Sequence, residues 1–232
     1  MEHVIAFLRE LYRNNDRAWF AAHKEEYLRV KATVERFAAE LIDGIAAFDD
    51  SVRGLGVNDC TYRIYRDTRF SPDKRPYKQH IGIFICPGGK KSGRSGYYFH
   101  IEPRHSDSET DSATGGHFLV TGLYRPEPRV LHSVREEMLY NGAQLEENIA
   151  RAAREGFTLS RENQLKRQPL GFPTDTPYAS YLRLRDVLLE RPLSDADLTA
   201  PDLTARTLAA FASTAGFCRQ LNRAVEYALE EE

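Results

Sequence analysis

The chain has 232 residues, 41% of them hydrophobic and 28% charged, which is an ordinary globular composition and not that of a disordered chain. Folded as one unit it would bury about three quarters of the surface its unfolded chain exposes, so a core is expected without disulfide or metal staples. The net charge of −2 excludes a global attraction to nucleic acid or to an anionic membrane, so any basic surface must be local.

Val4, Phe7, Leu8 and Leu11 recur at helical spacing, and Asn14-Asn15 supplies a break and a cap. A second helix is predicted from about residue 16 to 48. Trp19, Phe20, His23, Tyr27, Val30, Val34, Phe37, Leu41 and Ile45 form its apolar stripe, which reads as core. The pattern then changes to short β-branched or aromatic stretches over 61–65, 79–86, 96–102 and 117–124, separated by Gly, Pro and Ser. The connections are too short for crossover helices, so the sheet is expected to be antiparallel. Helical spacing returns over 130–140 and 143–154, with Gly156 as a stop. Residues 164–176 read as a loop in which Lys166 and Arg167 precede Pro169 and Gly171. The stretch 178–189 fits helix and strand equally, Ser194 caps a short turn, and 205–229 is a final amphipathic helix.

Helices, then sheet, then helices predict an α+β fold, an antiparallel sheet of about four or more strands flanked by N-terminal and C-terminal helices, as one domain over 1–232. Ile81, Ile83 and Ile85 share one face of their strand, as do Tyr97, Phe99 and Ile101 of theirs. The opposite face carries His80, Gly82 and Phe84 with Tyr98, His100 and Glu102. No apolar stretch approaches the roughly 20 residues of a membrane span, and the N-terminus lacks a signal-peptide apolar block. Cys60, Cys86 and Cys218 make no CxxC and are too few for a disulfide framework. A cytoplasmic location, no membrane partner and no cofactor are expected. Nothing marks an oligomeric state.

One segment is chemically distinctive. Residues 63–80 hold six cations (Arg63, Arg66, Arg69, Lys74, Arg75 and Lys78) against two acids (Asp67 and Asp73), a local +4 that leaves −6 for the rest of the chain. Such crowding costs self-repulsion unless acids or a bound anion relieve it, and Arg suits bidentate capture of carboxylate or phosphate. Three readings stay open. The run is an ion-pair network built on Asp67 and Asp73. Or it binds a small phosphate- or carboxylate-bearing ligand through Arg63, Arg66, Arg69, Lys74 and Lys78, with Asp67, Asp73 and Tyr77 in the same site. Or it is a basic loop of a non-catalytic module contacting a partner protein or nucleic acid, the nucleic acid being disfavoured by the acidic total and the absence of a recognised motif. Arg66 and Arg69 converging in a concave pocket would fit the second reading and a flat ridge the third. Full pairing of both would leave the first.

The pattern Arg63-x-x-Arg66-Asp67-x-Arg69-Phe70, followed by Asp73-Lys74-x-x-Tyr77, resembles the signature of the bacterial domain-of-unknown-function family 2461. The resemblance extends to the stretch from Asn14 to Tyr27, to Tyr97-Tyr98-Phe99-His100-Ile101-Glu102-Pro103, to Gly122–Pro126 and to Leu165–Phe172. It implies membership and no activity. A departure is the long acidic connection 104–116, which weakens any proposal resting on His105, Asp107, Glu109 or Asp111. Asp107-Ser-Glu109-Thr-Asp111 superficially resembles a calcium loop but has Ser112 and Phe118 where Gly and Glu belong. Gly88–Gly93 reads as a hairpin turn, not a phosphate loop.

His80, His100, Glu102 and His117 would approach one another if their strands are neighbours. Ordinary polar residues of a sheet surface are the leading reading of the four, with acid–base chemistry by His100 and Glu102 and a metal site as alternatives. The spacing is no recognised metal motif, and no metal is assigned. His100 and Glu102 are the catalytic candidates of the anion reading.

Overall fold

The computed structural model describes residues 1–106 and 113–230. It opens with helices α1 (Glu2–Arg13), α2 (Arg17–Ala22) and α3 (Lys24–Ile45), and a short α4 (Val57–Cys60) leads into the basic run. Strands β1 (Ile81–Ile85) and β2 (Gly96–Ile101) follow, then the small ribbon of β3 (His105–Ser106) and β4 (Ala113–Thr114), then β5 (His117–Leu123). The order closes with α5 (Pro128–Tyr140), α6 (Gly142–Ala153), β6 (Thr158–Leu159), α7 (Ala179–Leu182), β7 (Val187–Leu193), α8 (Asp195–Thr199) and α9 (Leu203–Glu230). Most of the calcium-like string, Asp107 to Ser112, lies outside the described residues.

Five strands form one sheet in the order β1-β2-β5-β7-β6, antiparallel at every pairing. The fold is α+β with helices at both ends of the chain, as the sequence predicts. Register converts the alternation of β1 and β2 into two faces: Ile83 pairs with Phe99 and Phe99 with Leu119, while Gly82 pairs with His100 and His100 with Phe118. The first face lies under the helices. Phe37 of α3 meets Phe99 edge-on at 5.0 Å, Phe211 of α9 meets Tyr97 at 5.4 Å, and the Thr121 and Thr214 hydroxyls lie 2.9 Å apart. The apolar core runs from Val4 of α1 to Ala228 of α9. All three cysteines are buried and unpaired.

Three local readings differ from the structure. The predicted helix from 16 to 48 breaks at His23, where the backbone leaves helical geometry (φ −105°, ψ 21°); its ring stacks on Trp19 at 4.1 Å, and its Nδ1 at 2.8 Å joins its own amide at 3.1 Å on the Trp19 carbonyl. The cap of α2 is Asp16, accepting from the Trp19 amide, not Asn14 or Asn15. The predicted strand over 61–65 makes only two isolated bridges, Thr61 to Ile83 and Tyr65 to Tyr77, because the chain there folds back on residues 76–78 instead of joining the sheet. The ambiguous stretch after 178 is both things in succession, the single-turn α7 and then β7, which pairs with β5 over seven residues.

Gly122 sits in β5 with φ +141°, and a Cβ there would collide with the Val187 carbonyl oxygen of β7. The obstacle is backbone held by the ladder, so nothing can rotate aside. Gly122→Ala is expected to cost on the order of 3 kcal/mol or more, read as a fall in Tm of roughly 6–12 °C for a chain of this size. A Tm within 2 °C of wild type would refute this account of the β5–β7 approach.

Candidate functional site

The basic run is a hairpin-like excursion. The Arg66 amide donates to Pro76 O at 2.9 Å and the Lys78 amide to Ile64 O at 2.8 Å, so residues 64–66 and 76–78 lie side by side and 67–75 form the tip. The excursion is pinned to the N-terminal helices at Tyr77. Asn15 Nδ2 donates to the Tyr77 carbonyl at 3.0 Å and Asn15 Oδ1 accepts from the Tyr77 amide at 3.1 Å. The Tyr77 ring stacks on Phe20 at 4.0 Å and is 5% exposed. Tyr77, a ligand candidate from sequence, is buried in the core with its ring stacked on Phe20.

The tip repeats one local unit. In Asp67-Thr68-Arg69, Asp67 accepts from the Arg69 backbone amide at 3.2 Å and from its guanidinium at 3.0 and 2.6 Å. In Asp73-Lys74-Arg75, Asp73 accepts from the Arg75 amide at 3.0 Å and from its guanidinium, and also from Arg66. Arg66 additionally reaches the Arg75 carbonyl, and Lys74 donates to Thr68 O at 3.1 Å. Arg66 and Arg69 thus do not converge; each is committed to a different acid, and for these two the ion-pair reading holds. The twice-repeated Asp-x-Arg is the sequence signal that marks the network.

Arg63 and Lys78 stand apart. Neither makes an ion pair among the described residues. Lys78 is half-buried, and its ammonium lies 5.3 Å from the Tyr62 ring centroid. Burial first, and then the nearby Arg63 charge, push its pKa down. Lys90 approaches the same ring at 5.9 Å.

Beyond Tyr62 lies the open face of the sheet, where the strand order brings His80, His100 and Glu102 together, with one ligand-type atom from each within 4.8 Å of the others. His100 is 6% exposed, lying between Phe118 (4.2 Å, 6° between planes) and His80 (4.9 Å, 28°). Its Nε2 is 3.1 Å from Glu102 Oε2 and its Nδ1 2.8 Å from the Tyr98 hydroxyl. A carboxylate only accepts, so Nε2 carries a proton, and in the neutral ring Nδ1 is then the acceptor for the Tyr98 hydroxyl. Burial raises the Tyr98 pKa, which keeps that hydroxyl protonated and able to donate. His80 is pushed down to about 4, by burial first and then by His100, and is neutral at pH 7. Gly82 opposite His100 leaves the space that the Tyr98 hydroxyl occupies.

His117 does not join this cluster. Phe118 is the residue paired with His100, so His117 points to the opposite face, where Nε2 meets Asp195 at 2.9 Å and Nδ1 accepts from the Glu102 amide at 3.1 Å. Tyr62, Lys90, Tyr98 and Phe118 are site residues that were not singled out from sequence. For Tyr98 the signal was present, two residues before His100 on one strand face. A groove of about 460 Å³ lined by Ser133, Glu136, Glu137, Tyr140 and Arg223 lies elsewhere, along α5 and α9, and its two acids make it unsuited to anions.

Asp73 is the hub of the tip. Arg75, and then Arg66, hold its carboxyl well below the usual carboxylate range. A depressed carboxylate stabilises the fold above its unfolded pKa of about 4, and that contribution is lost as pH falls toward the native value. Wild type is therefore expected to melt above Asp73→Asn at pH 7, with the difference shrinking steadily below about pH 4. A gap that stays constant across that range, measured by thermal melts in one buffer series, would count against the network.

A family model described as a conserved hypothetical protein, DUF2461, matches residues 3–219. No curated protein and no solved structure matches the chain. The matched span takes in the N-terminal helices, the basic hairpin, all five strands of the sheet and most of α9 as one unit, and on that extent the chain belongs to the DUF2461 family.

Proposed function

We propose that the open face of the sheet binds a small anion, a phosphate- or carboxylate-bearing molecule, held by Lys78 and Arg63, with His100 and Glu102 as a proton-transfer pair beside it. The observation that carries this is Lys78: a half-buried ammonium beside a guanidinium, with no carboxylate partner among the described residues. Burying a charge without a counter-charge costs free energy, and a bound anion would offset it. The ring of Tyr62 and the exposed edges of Phe84, Tyr98 and Phe118 supply apolar contact around the polar groups, the usual make-up of a small-molecule site. Glu102 draws the Nε2 proton of His100, and Tyr98 fixes the ring, so the pair can give or take a proton at one defined position.

A second reading has its own support. At the tip, Phe70 is 94% exposed with the Arg69 guanidinium 5.9 Å from its ring centroid, an arginine–aromatic element suited to docking on a partner protein or stacking on a nucleobase. On this reading the chain is a non-catalytic binding module.

A thermal-shift screen of phosphorylated and carboxylated metabolites, with oligonucleotides as a separate arm, decides between them. A ligand at 100 times its Kd adds about 2.7 kcal/mol, a rise in Tm of roughly 5–11 °C. On the first reading the shift is lost in Lys78→Met and in Arg63→Ala and kept in Arg69→Ala. An oligonucleotide shift lost in Phe70→Ala supports the second. No shift with any compound leaves the run as a structural network alone.

A further inference from the structure

We propose that His80, His100 and Glu102 form a three-ligand site for a divalent transition-metal ion on the open face of the sheet. Two imidazoles and one carboxylate are the donor set of open zinc sites and of non-haem iron sites, which keep coordination positions free for water or substrate. Metal–ligand bonds of about 2.1 Å put tetrahedral ligand atoms about 3.4 Å apart. His100 Nε2 and Glu102 Oε2 are already at 3.1 Å, and one ligand atom from each of the three residues lies within 4.8 Å of the others, so the proposal requires the half-buried His80 to turn toward the pair.

The surroundings are those of a built site. All three residues sit in or directly beside paired strands, which hold ligands more firmly than loops do. Extending the β1–β2 register by one residue sets His80 opposite Glu102. Phe118 fixes the plane of His100, and the Tyr98 hydroxyl meets its Nδ1, the outer partner that metal-bound imidazoles characteristically have. When Nε2 passes to a metal, the ring proton moves to Nδ1, and the Tyr98 hydroxyl turns from donor to acceptor without any heavy atom moving. From the opposite face His117 holds the Glu102 backbone amide, which steadies the carboxylate ligand. A dication held by one carboxylate and two neutral rings keeps a net positive charge. This deepens the anion reading above, whose ligand would fill the open positions.

The test uses metal alone. Chelator-stripped protein is titrated with Co²⁺ and followed by visible absorption, with Zn²⁺ as competitor. One Co²⁺ per chain is expected, displaced by Zn²⁺. Affinity should fall about tenfold or more in His80→Ala and in Glu102→Gln, and by a similar factor in Tyr98→Phe. His132→Ala should bind as wild type; it removes an exposed histidine beside Glu136, an exposed His–carboxylate pair to which surface binding would be traced. Circular dichroism checks the fold of each variant, and the buried His100 is left untouched so that loss of binding is not loss of folding. Absence of Co²⁺ binding, binding weakened less than threefold by both His80→Ala and Glu102→Gln, or binding lost only in His132→Ala overturns the site. Because no anion is present, failure here leaves the anion reading standing. Co²⁺ binding without any ligand shift would separate the two in the other direction.

Discussion

Backbone groups removed from water must be paired, and at the entrances to the first two strands that pairing comes from asparagine side chains. Asn15 brackets the amide and carbonyl of Tyr77, four residues before β1 begins. Asn222 of α9 does the same for Ser95, one residue before β2, accepting from its amide at 2.8 Å and donating to its carbonyl at 3.1 Å. In both cases a carboxamide stands in for a neighbouring strand, satisfying two buried groups with one planar side chain. The helical layer thereby fixes where each strand starts, and where a strand starts decides which of its side chains faces outward. A slip of one residue in β2 would send His100 into the core and bring Phe99 to the open face.

The candidate site depends on that placement more than on the arginine cluster. Tyr98, His100 and Glu102 face outward because Tyr97, Phe99 and Ile101 are held inward by α3 and α9. His80 joins them through the β1–β2 register, and Phe118 through the β2–β5 register. The buried hydroxyl of Tyr97 reaches Asp49 at 2.8 Å, so even the polar atom of the inward face is accounted for and resists rotation of the strand. The arginine-rich tip plays a different part: its two Asp-x-Arg units relieve the charge crowding that sequence makes obvious, and they do so locally.

Much of this architecture was legible in the sequence where the signal is local. Alternation along β1 and β2 identified both faces, Gly156 adopts the positive φ expected of a helix stop, and Ser194 caps α8 with Asp197 reciprocating. What was not legible depends on partners far along the chain. The two asparagine brackets join residues 62 and 127 positions apart, and nothing near Asn15 or Asn222 announces them. The break at His23 is a local change of backbone angles, inside an apolar stripe that reads as continuous. The pattern over 61–65 has the composition of a strand, yet its neighbour is the returning arm of the basic hairpin and not the sheet. Among the site residues, the trio His80, His100 and Glu102 could be grouped from strand adjacency, whereas His117 could not be excluded until the register assigned it to the other face.

The charge of the run can be followed cation by cation. Asp67 takes Arg69, and Asp73 takes Arg66 and Arg75. Lys74 is exposed and rests on a backbone carbonyl, where water screens it. Arg63 and Lys78 remain, and only Lys78 is drawn in from solvent, toward Tyr62 and the histidine face. Surface cations cost little wherever they sit, so evenly exposed arginines would carry no argument. A lysine left half-buried beside another cation, with two acids of its own segment committed elsewhere, is a different matter. Close by, His80 gives up its proton chiefly through burial and then His100, with Lys78 and Arg66 adding to the effect and Glu102 opposing it. His80, neutral at pH 7, thus presents a lone pair near an ammonium that has no ion-pair partner among the described residues. On the proposals above, the lone pair would face a metal ion and the ammonium the anionic ligand that completes its shell.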